Sequence, residues 1–245
     1  MKSLGIIPAR YASTRFPGKP LALIGGKPMI QRVYEQCLKS NLSTVVVATD
    51  DLRIFEAVEQ FGGKAIMTSE MHTSGTDRCG EAANLLNAND QDIIVNIQGD
   101  EPFIQPELIN VLLLRFNDPA VNIATLASKL SPEKAKDPNA VKVVFSKNGK
   151  AIYFSRFAIP FSRDGEGSPA NYFKHIGIYA YRQRILQQII KLEESFLEKN
   201  ERLEQLRWIE NEQDIYLSLC EYDTISIDTP EDLLNANHWI QHNQK

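Results

Sequence analysis

Thr44-Val45-Val46-Val47-Ala48-Thr49-Asp50-Asp51-Leu52-Arg53-Ile54-Phe55-Glu56-Ala57-Val58-Glu59-Gln60-Phe61-Gly62-Gly63-Lys64-Ala65-Ile66-Met67 is the stretch that decides the fold. Val45 to Ala48 is an unbroken apolar run, the pattern of a strand buried on both faces. Helical spacing then takes over, with Leu52, Ile54, Phe55 and Val58 over residues 51–61, and Gly62-Gly63 closes the helix. Lys64 to Met67 is extended again. Strand, helix and strand at this spacing make a right-handed βαβ unit and a parallel sheet.

The same alternation continues on both sides. Leu4-Gly5-Ile6-Ile7 is a buried strand, and Met29, Ile30, Val33, Tyr34 and Cys37 give a helix over 28–39. Downstream come a helix over 76–88 and the apolar strand Asp92 to Ile97. In such sheets ligands bind beyond the carboxyl ends of the strands, so residues 8–20, 49–51, 68–78 and 98–102 are where chemistry is expected. The second half is mixed: hairpin strands over 140–161 around Lys147-Asn148-Gly149, a strand over 175–181, helices over 183–193 and 197–209, and a strand over 215–227. A last helix opens at Thr229-Pro230. With no repeat and no Pro/Gly-rich linker, residues 1–245 read as one domain, carrying a mixed lobe at about 130–215.

Composition removes several classes. The 245 residues carry 27 Lys and Arg against 31 Asp and Glu, a net charge of −4, which argues against a nucleic-acid-coating protein. No run of about 18 apolar residues exists, so no membrane-spanning helix is expected. Three cysteines, Cys37, Cys79 and Cys220, are odd in number and far apart, which favours a reducing, cytoplasmic compartment over a disulfide framework. Neither a phosphate-loop Gly-Lys-Ser/Thr nor Gly-x-Gly-x-x-Gly is present.

The loop after the first strand holds Arg10, Arg15 and Lys19 within ten residues, with hydroxyls at Ser13 and Thr14. It reads either as a polyphosphate cradle or as a solvated basic loop, and spacing alone favours neither. Asp100, in Gln98-Gly99-Asp100-Glu101-Pro102, follows the most apolar strand, where a carboxylate is placed to hold Mg²⁺ against a phosphate; the alternative is an Asp turn. Asp228 starts the last helix and is a second carboxylate for the same task, or a cap alone. His72 to Arg78 is either a base- or ribose-binding loop around Gly75 or a helix cap.

In order along the chain stand Pro8 to Pro20, Ala48-Thr49-Asp50, Ser74 to Arg78, Gln98 to Pro102, Tyr153-Phe154-Ser155-Arg156, His175 to Tyr179, Leu203 to Arg207, and Asp228 to Asp232. This set closely resembles the 3-deoxy-manno-octulosonate (Kdo) cytidylyltransferases, also called CMP-Kdo synthetases, from Ile6 to about Leu233. The resemblance implies an α/β, Rossmann-like nucleotidyltransferase fold with a mainly parallel sheet and an inserted sugar-binding and dimerisation lobe. It implies CTP and Kdo as substrates, CMP-Kdo and pyrophosphate as products, Mg²⁺ as cofactor, a homodimer, and a place in lipopolysaccharide biosynthesis.

By the matching motifs, Ala9, Arg10, Ser13, Arg15, Lys19, Ser74, Gly75, Arg78, Gln98 and Asp100 would bind the nucleotide. Asp100 and Asp228 would hold the metal. Arg10, Lys19, Asp100 and Asp228 would carry catalysis. Gln98, Arg156, His175, Tyr179, Glu204 and Gln205 would line the sugar pocket, with the Arg156 guanidinium suited to the Kdo carboxylate. His175 is more often a hydrogen-bonded pocket or core residue than an acid/base. The chain departs from many relatives at Ser226 and Ala180, where they have Gly, which bears on the sugar pocket and leaves the metal assignment intact. A close branch activates 8-amino-3,8-dideoxy-manno-octulosonate and carries Gln where this chain has Glu101, so Glu101 favours Kdo.

Overall fold

The computed structural model describes residues 1–12, 16–163, 172–221 and 226–243. Ser13, Thr14 and Arg15 lie outside the described residues. The chain divides into two compact units, Met1–Asn110 with Thr224–Lys245, and Val111–Asp223.

The first unit begins with β1 (Ser3–Ala9), then β2 (Leu23–Ile24) and β3 (Lys27–Pro28), a short antiparallel pair. There follow α1 (Met29–Cys37), β4 (Thr44–Thr49), α2 (Leu52–Gln60), β5 (Ala65–Met67), α3 (Gly75–Leu85) and β6 (Ile93–Asn96), and then α4 (Pro106–Leu114), whose residues span the boundary at Asn110. β1 is central. It pairs in parallel with β4, from Leu4 opposite Thr44 to Ala9 opposite Thr49, and with β6, from Ser3 opposite Ile93 to Ile6 opposite Asn96. β5 adds in parallel beyond β4. The α/β fold with parallel strands expected from residues 44–67 is the one found. Ile6, Ile7, Val47, Ile94 and Val95 are fully buried, each such side chain contributing roughly 1.5–3 kcal/mol on leaving water. Asp51, three residues beyond the apolar run, caps α2 by accepting from the Arg53 amide and so fixes the strand-to-helix turn.

The second unit holds β7 (Ile123–Leu130), α5 (Pro132–Ala135), β8 (Lys142–Phe145), β9 (Ala151–Ser155), β10 (Tyr172–Arg182), α6 (Gln183–Ile189), α7 (Phe196–Glu201), α8 (Gln205–Glu210) and β11 (Ile215–Cys220). β7 pairs with β11 in parallel and with β10 antiparallel; β8 pairs antiparallel with β10 and β9. The hairpin around Asn148-Gly149 is present, with Gly149 at φ +84°.

Three features differ from the sequence reading. The helix expected over 197–209 is broken in two, because Arg202 takes a left-handed conformation at φ 53° while its amide donates to the Glu198 carbonyl. The break turns Leu203 inward, where it is buried. β7, buried through Ser128, was not anticipated. The described part of the strand expected over 215–227 ends at Cys220. The first unit closes with α9 (Pro230–Asn243), where Ala236 and Ile240 pack on Ile24, Met29 and Ile227.

Candidate active site

Within the first unit, the ends of β1 and β6 open onto a cleft of about 280 Å³. Pro8, Ala9 and Arg10 leave β1 into it; Gln98, Gly99 and Asp100 arrive from the end of β6; His72 to Gly75 and Arg78 come from the start of α3; Lys19 and Asp228 complete it. Gly99 has the Pro8 carbonyl oxygen 3.1 Å from where a Cβ would stand, so a side chain there would press on the end of β1 by a few tenths of an ångström.

The first loop doubles back on itself. The Gly18 amide donates to the Tyr11 carbonyl at 3.0 Å, Gly18 has φ +71°, and the Arg53 guanidinium lies 3.3 Å from the Tyr11 ring centroid. This brings Lys19 to the floor of the cleft. Its Nζ donates to Asp100 Oδ2 at 2.7 Å and to Asp228 Oδ1 at 3.3 Å. Two carboxylates against one ammonium leave a negative excess that suits a divalent cation. Arg10 is exposed at the rim, and among the described residues it makes no hydrogen bond or ion pair. Its fork of donors is therefore available to an anion.

Asp228 is held from both sides. The Ile227 amide donates to the Asp100 carbonyl at 2.9 Å, which ties the two acidic segments together. Asp232 Oδ2 accepts from the Asp228 amide at 3.0 Å, the Thr229 amide at 2.9 Å and the Thr229 hydroxyl at 2.9 Å. Burial pushes the Asp232 carboxyl up, but the Thr229 hydroxyl and the two amides outweigh it and hold the group below its ordinary pKa. Sequence reading placed Asp232 only in an acidic helix start; the signal was the Thr-Pro-Glu-Asp spacing of a capping box.

At the start of α3 a capping box is complete: Ser74 Oγ accepts from the Asp77 amide at 3.1 Å, and Asp77 accepts from the Ser74 amide at 3.2 Å. A Cβ on Gly75 would lie 3.2 Å from Pro8 Cγ. Arg78 is buried and donates to Asp50 Oδ2 and Thr68 Oγ1, both at 2.7 Å. It thus ties α3 to the end of β4 while lining the cleft. Behind it, Glu81 Oε2 meets His72 Nε2 at 2.5 Å and accepts the Ser69 amide. Burial raises the Glu81 pKa, yet these contacts bring it net below the ordinary carboxylate value.

The remaining expected residues lie in the second unit. Arg156 spends three donors on backbone carbonyls: Nε on Glu201 at 2.7 Å, Nη1 on Pro138 at 3.1 Å and Nη2 on Arg202 at 3.3 Å. Two of its five N–H groups are left over. Buried Lys142 donates to the Arg156 carbonyl, and burial lowers its pKa. His175, partly buried, packs between Phe154 and Tyr179, with ring centroids 5.0 and 5.3 Å away. Desolvation, helped by the charge of Lys174, lowers its pKa to about 3, so the ring is neutral near pH 7. Tyr179 and Gln205 are buried; Gln205 Nε2 has no hydrogen-bond partner among the described residues, and the Thr125 hydroxyl lies beside the Tyr179 phenol. Burial and the nearby Glu204 push the Tyr179 phenol up. Trp208 is core, edge-on to Tyr179 and Tyr181, while Trp239 is half exposed against Phe103.

No group of three or more His, Cys, Asp or Glu that could hold a metal occurs among the described residues, so Asp100 and Asp228 stand as a pair. That pair fits Mg²⁺, which takes one or two protein carboxylates and completes its shell with water and substrate phosphate.

A family described as cytidylyltransferase matches residues 4–215. The chain belongs to this cytidylyltransferase family. It is 51% identical to the 3-deoxy-manno-octulosonate cytidylyltransferase of Bacteroides thetaiotaomicron, over 98% of this chain and 99% of that one. It is 49% identical to the 8-amino-3,8-dideoxy-manno-octulosonate cytidylyltransferase of Shewanella pealeana, over 93% and 94%. A solved structure of CMP:2-keto-3-deoxy-manno-octonic acid synthetase complexed with CTP matches with a TM-score of 0.93 at 44% identity, covering 99% of both chains. In this cytidylyltransferase no helix among the described residues is long and apolar enough to cross a membrane.

Proposed function

We propose that this cytidylyltransferase transfers CMP from CTP to Kdo, giving CMP-Kdo and pyrophosphate, in the cytoplasm and as a homodimer that serves lipopolysaccharide assembly. The observation that carries the reading is the Lys19 ammonium set between Asp100 and Asp228, with Arg10 uncommitted at the rim of the same cleft.

The anomeric oxygen of Kdo attacks the α-phosphorus as the bond to the bridging oxygen of pyrophosphate breaks, and the hydroxyl proton passes to solvent. Such transfers depend on positioning and electrostatics more than on a protein nucleophile. Arg10 and Lys19 take up the charge that grows on the leaving pyrophosphate. Ser13 and Arg15 support their loop. Ser74, Gly75, Arg78, Gln98 and the Ala9 backbone hold the nucleotide. Asp100 and Asp228 hold Mg²⁺, which when bound supplies charge neutralisation at the α-phosphate and a lowered pKa for the attacking hydroxyl. Arg156, His175, Tyr179, Glu204 and Gln205 take the acid sugar. His175, neutral near pH 7, serves there as a hydrogen-bonding group.

A second reading is the 8-amino sugar, favoured by the 49% identity to an enzyme named for it. Pyrophosphate release decides, with CTP, Mg²⁺ and Kdo each omitted in turn and 8-amino-Kdo run in parallel. Release that needs all three supports Kdo; release only with the amino sugar moves the substrate; release with neither overturns both.

A further inference from the structure

His175 and Tyr179 are four residues apart on β10, and a regular strand would hold them about 13 Å apart. Their ring centroids are 5.3 Å apart. The cause is a bulge: on β7, Leu126 faces Ile176 and the next residue, Thr125, faces Tyr179, so Gly177 and Ile178 are extra. Gly177 inside a strand was the sequence signal for such a break.

Thr125 is fully buried under this bulge. Its Oγ1 lies 3.1 Å from the Ile176 carbonyl, 2.8 Å from the Ile178 carbonyl and 3.1 Å from His175 Nε2. A hydroxyl has one proton and the two carbonyls can only accept, so donation to His175 Nε2 would leave both carbonyls unserved and Oγ1 with a single bond among these three. Donation to a carbonyl lets Oγ1 accept the third contact from a protonated Nε2, which makes two bonds in place of one and favours the Nε2–H tautomer. The other ring nitrogen, Nδ1, is left as a lone pair with no hydrogen bond among the described residues.

We propose that Thr125 is a positioning residue of the sugar site: it pins the β10 bulge and locks His175 as the Nε2–H tautomer, so that Nδ1 accepts a hydroxyl proton of the acid sugar. This rests on His175 belonging to the sugar site, as in the function proposed above. One hydroxyl thereby sets both the spacing of His175 and Tyr179 and the polarity that His175 shows to a ligand.

The test is nitrogen-15 NMR of the full-length protein labelled at histidine, which has four such residues, with His175→Gln to identify the resonance. The expected wild-type spectrum shows His175 neutral and protonated at Nε2. Thr125→Val should yield mixed tautomers and raise KM for Kdo about tenfold or more, with KM for CTP within about twofold. Thr125→Ser should restore both. A wild-type proton on Nδ1 overturns the proposal even if Thr125→Val does not fold, and so does an unchanged tautomer and KM in a folded Thr125→Val. The spectrum is read without substrate, so absence of turnover with either sugar would overturn the functional reading separately from the tautomer.

Discussion

The Lys19 ammonium stands 2.7 Å from the Asp100 carboxylate, and the same nitrogen reaches Asp228 at 3.3 Å. The cation that faces the phosphates is thus also the counter-charge of the pair proposed to hold the metal. Lys19→Met removes that charge from a partly buried site while keeping most of the stem volume. Turnover should fall about 10²–10³-fold, as for loss of one preorganised charge at a reacting centre. Steady-state pyrophosphate release, with circular dichroism to confirm the fold, checks this; a loss below tenfold would remove Lys19 from the chemistry.

Asp232 accepts from the Asp228 amide at 3.0 Å and from Thr229, and it also feels the charge of Lys19. Partners that orient a metal ligand typically matter 10–100-fold in metal affinity or activity. Asp232→Ala should therefore raise the Mg²⁺ concentration for half-maximal turnover by about tenfold, and added Mg²⁺ should restore much of the rate. Asp100→Asn, which alters a ligand itself, should not be restored in this way.

His175 is held neutral, with its pKa lowered to about 3 by desolvation and by Lys174, against an unfolded value of about 6.5. The unfolded chain binds this proton first as pH falls. Stability from the neutral ring is thus whole above about pH 6.5 and is lost on descending toward 3, at up to about 1.4 kcal/mol per pH unit. His175→Gln should flatten the urea-unfolding profile between pH 6.5 and 4. A slope equal to that of the wild type would refute the assignment.

Gly149 and Gly26 both have positive φ, +84° and +79°, but their surroundings differ. A Cβ at Gly149 would stand 2.8 Å from the Leu217 carbonyl oxygen, beside the 2.7 Å bond from the Leu217 amide to the Gly149 carbonyl; a Cβ at Gly26 meets nothing within 4 Å. Gly26→Ala should cost about 1 kcal/mol from backbone conformation alone, and Gly149→Ala about 2 kcal/mol or more. Equal midpoints of chemical denaturation would show that the β8–β9 hairpin yields freely.

The sequence by itself determined the layered α/β core and the chemistry at its strand ends. Val45 to Ala48 and Ile93 to Ile97 are short apolar runs rich in Val and Ile, the pattern of buried strands, and parallel strands need a crossover, usually a helix. Arg10, Lys19 and Asp100 follow such strands, so their place on the carboxyl edge was legible before any coordinates. Tertiary structure alone decided the rest. Lys19 and Asp228 are 209 residues apart, and what joins them is the Ile227 amide on the Asp100 carbonyl and a small apolar cluster beneath, contacts with no local pattern. The split between α7 and α8, the spending of Arg156 on three carbonyls, and the Thr125 hydroxyl under the β10 bulge are likewise invisible to periodicity. Hydrophobic spacing fixes which face of an element is buried, whereas a hydrogen bond between distant segments depends on where the folded core brings them.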